Sequence, residues 1–257
     1  MDAAFWLEKW QQGQTGFHAA RPNALLVEHV GALRPGPTRR VYVPLCGKSL
    51  DLHFLRSAGF DEVIGTELSP LATAAFFAES GLVPEVREHA GWREFLVPAD
   101  GAPTFEPSAH YVDSASARPA ATEPNTTVAE ARPALAALRI IEGDIFTLPA
   151  GAIPPCDAAY DRAALVAMDP SRRSAYLAHL DSVLRPGSPI LLIAFSYDTA
   201  RMSGPPFSVD AAVVHECFPP PATPRLLTSR ELISSEPRFR DRGLTSIREE
   251  CWVVAQP

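Results

Sequence analysis

Two periods of apolar positions run through the chain. Short apolar runs, RRVYVPL (39–45), DEVIGTEL (61–68), LRIIEGD (138–144), CDAAYDR (156–162) and SPILLIAFS (188–196), read as strands. Between them, apolar residues return every third or fourth position and the helix punctuation is in place. Ser49 caps a helix through Arg56 that stops near Gly59, and Ser69-Pro70 opens LATAAFFAES, which Gly81 closes. Asp169-Pro170 opens SRRSAYLAHLDSVL, which ends at Arg185-Pro186-Gly187. Upstream, Asp2 caps a helix with Phe5, Trp6 and Trp10 near one face, and Asn23 caps ALLVEHVGAL. A capped helix over Ser208 to Cys217 and two strand-like runs, PRLLTSREL and SIREECWVV, complete the chain.

Strands alternating with helices predict an α/β fold with a mostly parallel sheet covered on both faces. Its ligand belongs outside the carboxyl ends of the strands, near the first crossover. The reading is one domain over 1–257, with an N-terminal helical cap or lid over about 1–35. Residues 98–133, rich in Pro, Ala, Ser and Thr, follow neither period and predict a mobile insertion.

Composition narrows the function. A net charge of −7 without a Lys/Arg-rich run argues against a grip on nucleic acid phosphates. No segment approaches the length of a membrane span, and the first residues, MDAAFWLEKWQQGQ, do not form a signal peptide. Cys46, Cys156, Cys217 and Cys251 are scattered without a C-x-x-C pair, and the seven histidines are dispersed. These features predict free thiols in a cytoplasmic protein, no metal, and a monomer acting on a small molecule.

The stretch VYVPLCGKSLDL (41–52) ends its apolar run in Gly47-Lys48-Ser49, but Tyr42 stands where a phosphate-binding loop needs its first glycine. The strand-loop-helix context fits a nucleotide-type ligand without phosphates. Glu67, twenty residues after Gly47 at the end of the second strand, stands where an acid takes ribose hydroxyls; a solvated strand-end carboxylate is the alternative. Asp144 suits an adenine amino group or, better by position alone, an Asx-turn with Phe146 or Thr147. S-adenosylmethionine is the common ribose-bearing ligand of this kind.

Beyond spacing, several motifs occur in order: FW-x3-W-x6-FH (5–18), VPLCGKSLDL (43–52), GTELS (65–69), FFAESGL (76–82), YDRAALVAM (160–168), SYD with GPPFSV (196–209) and PRFRDRGL (237–244). Over nearly its whole length the chain resembles the thiopurine S-methyltransferase family, a branch of the class I Rossmann-like methyltransferases that use S-adenosylmethionine. The resemblance implies an antiparallel last strand, and cofactor contacts from Trp10, Leu45, Glu67, Asp144, Ile145 and Arg162. It implies Arg162 as the catalytic arginine as well, and Phe17, Arg162 and Arg238 on the acceptor side.

Each of these residues has a plainer reading. Trp6 and Trp10 suit the docking face of a helix, Lys48 a solvent-facing cation, and Cys46 a small buried filler. Arg162 is expected to open a helix, where a cation opposes the dipole and a structural choice would favour an acid. Methyl transfer to a thiolate needs positioning and desolvation more than a strong base, and the chain shows no Ser-His-Asp or paired-carboxylate constellation. The implied acceptor is a thiopurine-like or other aromatic or heterocyclic thiol. The alternatives are another soft nucleophile, such as a selenium or tellurium oxyanion, thiocyanate or a natural-product thiol, or cofactor binding without catalysis.

Overall fold

The computed structural model of the chain describes residues 3–16, 19–34, 39–99 and 135–256. Its centre is a nine-stranded sheet. The parallel part consists of β1 (Arg40–Val43), β2 (Glu62–Glu67), β5 (Ala137–Glu142), β6 (Ala158–Arg162) and β7 (Ile190–Ser196). The antiparallel hairpin β3 (Glu85–His89) and β4 (Trp92–Val97) extends it beside β5, and β9 (Arg248–Ala255) and β8 (Thr223–Glu231) extend it beside β7. The order is β3-β4-β5-β2-β1-β6-β7-β9-β8, so the chain reverses direction across the sheet between β1 and β6. A ligand crevice belongs at that reversal.

Alternation along β1 divides the core. Val41 and Val43 face one layer with Leu25 and Leu26 of α2 (Ala24–His29), Leu52 and Leu55 of α3 (Asp51–Ser57), and Phe76 and Phe77 of α4 (Pro70–Ser80). Tyr42 faces the other, with Tyr176 and Leu180 of α5 (Arg173–Val183) and Val214 of α6 (Ala211–Cys217). Period two in a strand therefore serves both faces at once, as a doubly covered sheet requires. The α/β class, the parallel centre and the antiparallel last strand agree with the sequence reading.

Several local expectations change. Asn23 does cap α2, accepting from Leu25 and Leu26, and its last turn, Val30–Leu33, tightens to a 3-10 helix. Ser69 and Gly81 bound α4 as predicted. Ser49, by contrast, is not the cap of α3: Leu50 occupies that position, and the Ser49 hydroxyl, one residue earlier, accepts from Asp51 N–H at 3.2 Å. Asp210 rather than Ser208 caps α6, because Ser208 Oγ is engaged with the Tyr197 backbone. The β3–β4 hairpin has no counterpart in the sequence reading, although Ala90-Gly91 between two alternating runs marks it, with Gly91 at φ +86°. Nearly all of the 98–133 stretch, Asp2 and Phe17 lie outside the described residues.

Candidate active site

The carboxyl ends of β1, β2, β6 and β7 open into a cavity of about 500 Å³. Leu45 and Gly47 enter from the loop after β1, Glu67 and Leu68 from the end of β2, Arg162 and Ala163 from the end of β6, and Ile193 and Phe195 from β7. Helix α1 (Ala3–Gln11) covers one side with Phe5, Trp6, Lys9 and Trp10. Arg238 and Phe239 of α7 (Pro237–Asp241), with Arg242 just beyond it and Pro205 and Pro206, complete the wall. That volume lies within the range of cofactor and small-molecule sites.

Glu67 is 6% exposed, and both its oxygens face backbone donors: Oε2 accepts from Gly47 N–H at 2.8 Å and Oε1 from Ser69 N–H at 2.7 Å. Burial pushes its carboxyl up to about 7, while the Ser69, Gly47 and Leu68 amides oppose the rise. A carboxylate has about four acceptor positions, so the hydrogen bonds from Gly47 and Ser69 leave capacity for a vicinal diol. Trp10 lies against the same loop, with Cζ2 only 3.4 Å from where a Cβ at Gly47 would stand. A nucleoside framed by Trp10, Leu45 and Gly47, with its ribose at Glu67, fits this end of the cavity.

Leu45 and Ala163 both carry left-handed backbone, with φ of 48° and 62°. Leu45 stands two residues past the end of β1 and Ala163 directly after β6, the two strands that flank the reversal, and both line the cavity. Non-glycine residues in this region are strained by roughly 1–2 kcal/mol, and such strain concentrates at binding sites.

Arg162 is the last residue of β6, not the first of a helix, so the dipole argument falls away; only a 3-10 turn, Leu165–Ala167, follows. Its cation is set by an acid instead. Nη1 lies 3.3 Å from Oδ2 of Asp51, whose side chain is 1% exposed. Burial lowers the Arg162 pKa, but the neighbouring charge of Asp51, with that of Glu249 behind it, outweighs it and holds the group above the ordinary arginine value.

Of the residues singled out in the sequence, Trp10, Leu45, Glu67, Arg162 and Arg238 share the cavity. Asp144 and Ile145 are not among its lining residues: Asp144 Oδ1 accepts from Phe146 N–H at 3.0 Å in an Asx-turn, and Ile145 is 5% exposed in the core. Lys48 does not face solvent freely; it is 19% exposed and pairs with Glu79 on α4 at 2.5 Å. Cys46 is the buried filler expected, its thiol pushed well above the ordinary value by burial, and a Cβ at Gly65 would stand 2.7 Å from its sulfur. Lys9, Arg242 and Phe195 were not singled out, since isolated cations and aromatics carry no spacing signal. Asp51 had a weak one, an acid between Leu50 and Leu52 in an otherwise apolar helix start.

Fold and site together define a class I methyltransferase dependent on S-adenosylmethionine. Solved structures of similar fold include an arsenic (III) S-adenosylmethionine methyltransferase from Chlamydomonas reinhardtii, 13% identical with a TM-score of 0.52, the match covering 93% of this chain and 75% of that one. A cyclopropane synthase from Mycobacterium tuberculosis is 12% identical with a TM-score of 0.52, over 91% and 83% of the two chains. The chain belongs to the thiopurine S-methyltransferase (TPMT) family, whose model matches residues 1–100 and 106–256. Among its relatives, the thiopurine S-methyltransferase of Xanthomonas campestris pv. campestris is 40% identical over 247 residues, 96% of this chain and 95% of that one. That of Nitrosospira multiformis is 35% identical over 254 residues, 99% and 98% of the two chains. No helix among the described residues is long and apolar enough to cross a membrane.

Proposed function

We propose that the chain methylates the sulfur of an aromatic or heterocyclic thiol of the thiopurine kind. The observation that carries this reading is the charge of the cavity. Among the described lining residues Lys9, Arg162, Arg238 and Arg242 stand against one carboxylate, Glu67, while Asp51 and Glu236 pair with Arg162 and Arg238 from outside the lining. A cation-rich, largely apolar cavity favours an acceptor that is aromatic and binds as an anion.

Bound S-adenosylmethionine supplies a methyl group on a sulfonium centre and leaves as a neutral thioether. The chain's residues have the remaining tasks. Glu67, Trp10 and Leu45 hold and orient the nucleoside, and the proposed cofactor set also includes Asp144 and Ile145 at the carboxyl end of β5. Arg162 stabilises the acceptor as a thiolate, whose proton goes to solvent, so that no strong general base is needed. Phe195 and Phe239 supply apolar wall in the cavity. The proposed acceptor contacts are Phe17, Arg162 and Arg238, the last paired with Glu236 at 3.0 Å.

A methyl-transfer screen with thiophenol, 6-mercaptopurine, thiocyanate, selenite and tellurite tests the reading. Methylated aromatic thiols should dominate the products. Turnover confined to the oxyanions or thiocyanate would replace the proposed acceptor class.

A further inference from the structure

One buried acid beside the cavity belongs to neither the proposed cofactor contacts nor the proposed acceptor contacts. Asp51, the first residue of α3, is 1% exposed and is not among the lining residues. Its Oδ1 accepts from the backbone N–H of Asn23 at 2.7 Å. Its Oδ2 accepts from the Tyr160 hydroxyl at 3.0 Å and from Arg162 Nη1 at 3.3 Å. An ionised carboxylate at this depth requires such partners, so architecture alone would account for some of them.

Architecture does not account for the choice of partner. Tying the N-terminal segment to the sheet needs only Asn23 and Tyr160, and Asn23 is separately anchored, its side chain capping α2 and donating to Glu249 Oε1 at 2.9 Å. The remaining contact is to the one cation that reaches the cavity from the end of β6. A guanidinium has five N–H donors in a planar fork, so fixing one nitrogen fixes where the others point. Asp51 in turn cannot swing, because Asn23 and Tyr160 hold it on both oxygens.

We propose that Asp51 is the positioning residue of Arg162, fixing the direction in which the guanidinium meets the acceptor without touching the acceptor itself. This rests on the acceptor-side role of Arg162 given above. Removing the support would let the fork turn among rotamers, and electrostatic stabilisation of a developing reaction centre is lost when its donors lose their aim. Asp51, Tyr160 and Glu249 are the groups that act electrostatically on Arg162.

The test compares Asp51→Asn, Asp51→Glu, Arg162→Lys and the double variant Asp51→Asn/Arg162→Lys. Thiophenol is the acceptor, and cofactor affinity is measured by calorimetry. Asp51→Asn should lower kcat/KM for thiophenol by about tenfold to a hundredfold, the scale of a small misplacement in the active site. It should leave the cofactor Kd within about twofold. Asp51→Glu, which keeps the charge, should fall between it and the native protein. With Arg162→Lys already present, Asp51→Asn should add less than about twofold. An equal loss in both backgrounds, or no loss in the native one while Arg162→Lys is impaired, would overturn the positioning role alone. Unchanged turnover in Arg162→Lys would remove the acceptor-side reading of Arg162 and this inference with it. Should Asp51→Asn not fold, an Asp51→Glu variant equal to the native protein overturns the proposal.

Discussion

Glu67 Oε2 accepts from the backbone N–H of Gly47 at 2.8 Å, joining two residues twenty positions apart into one wall of the cavity. With Ser69 N–H on its other oxygen, the carboxylate fixes the loop after β1 against the exit of β2. In the proposed binding mode, cofactor recognition and loop geometry depend on the same side chain. Glu67→Ala should weaken S-adenosylmethionine binding by about 1.5–3 kcal/mol, the scale of lost charge-assisted hydrogen bonds. Titration calorimetry on the folded variant checks it, and an unchanged Kd would remove Glu67 from the site.

The raised pKa of Glu67 gives a second expectation. Its folded value, about 7, lies above the ordinary 4.5, so the native state holds this proton more tightly than the unfolded chain. The stability that protonation confers is fully present below about pH 4.5 and is lost as pH rises through 7. Asp161, pushed up to about 6 by burial, acts in the same direction. Thermal stability of the free protein should fall across this window, and Glu67→Gln should flatten the fall. Cofactor binding should run the other way and tighten as Glu67 ionises, by at most about tenfold per pH unit below 7; a pH-independent Kd would contradict this.

Tyr42 separates fold from function. It is fully buried, and its hydroxyl meets Thr66 Oγ1 at 2.9 Å and His179 Nε2 at 2.8 Å, linking β1, β2 and α5. Tyr42→Phe should cost about 1–3 kcal/mol of stability by leaving these groups short of a partner, with the cofactor Kd unchanged. Chemical denaturation and calorimetry on one preparation distinguish the two effects.

Ala163 offers a strain test. Glycine at φ 62° removes the left-handed penalty of about 1–2 kcal/mol, less about 0.5–1 kcal/mol of unfolded-state entropy. Ala163→Gly should therefore raise Tm by about 1–4 °C. A lower Tm would mean that the methyl group contributes more packing than the backbone loses in strain.

The sequence carried the parallel centre well, because each of its strands is a short apolar run bounded by turn residues, and the amphipathic helices α3, α4 and α5 follow β1, β2 and β6. It carried Glu67 through its distance from Gly47, a distance set by the β1-α3-β2 unit itself. Arg162 was legible as a motif but misplaced as a helix start, since a strand end followed by a 3-10 turn has no distinctive period. Asp51 was missed for a different reason. Its meaning lies in Tyr160 and Arg162, more than a hundred positions away, which only strand order brings beside α3.

Helix α1 presents Phe5, Trp6, Lys9 and Trp10 to the cavity, yet none of its nine residues is buried. A helix this short is marginal in water, so much of its ordering has to come from what it encloses. Ligand affinity then contains a folding contribution. Binding of S-adenosylmethionine should show a heat-capacity decrease larger than the cofactor's own apolar surface accounts for, since aromatic side chains of α1 leave water in the same event.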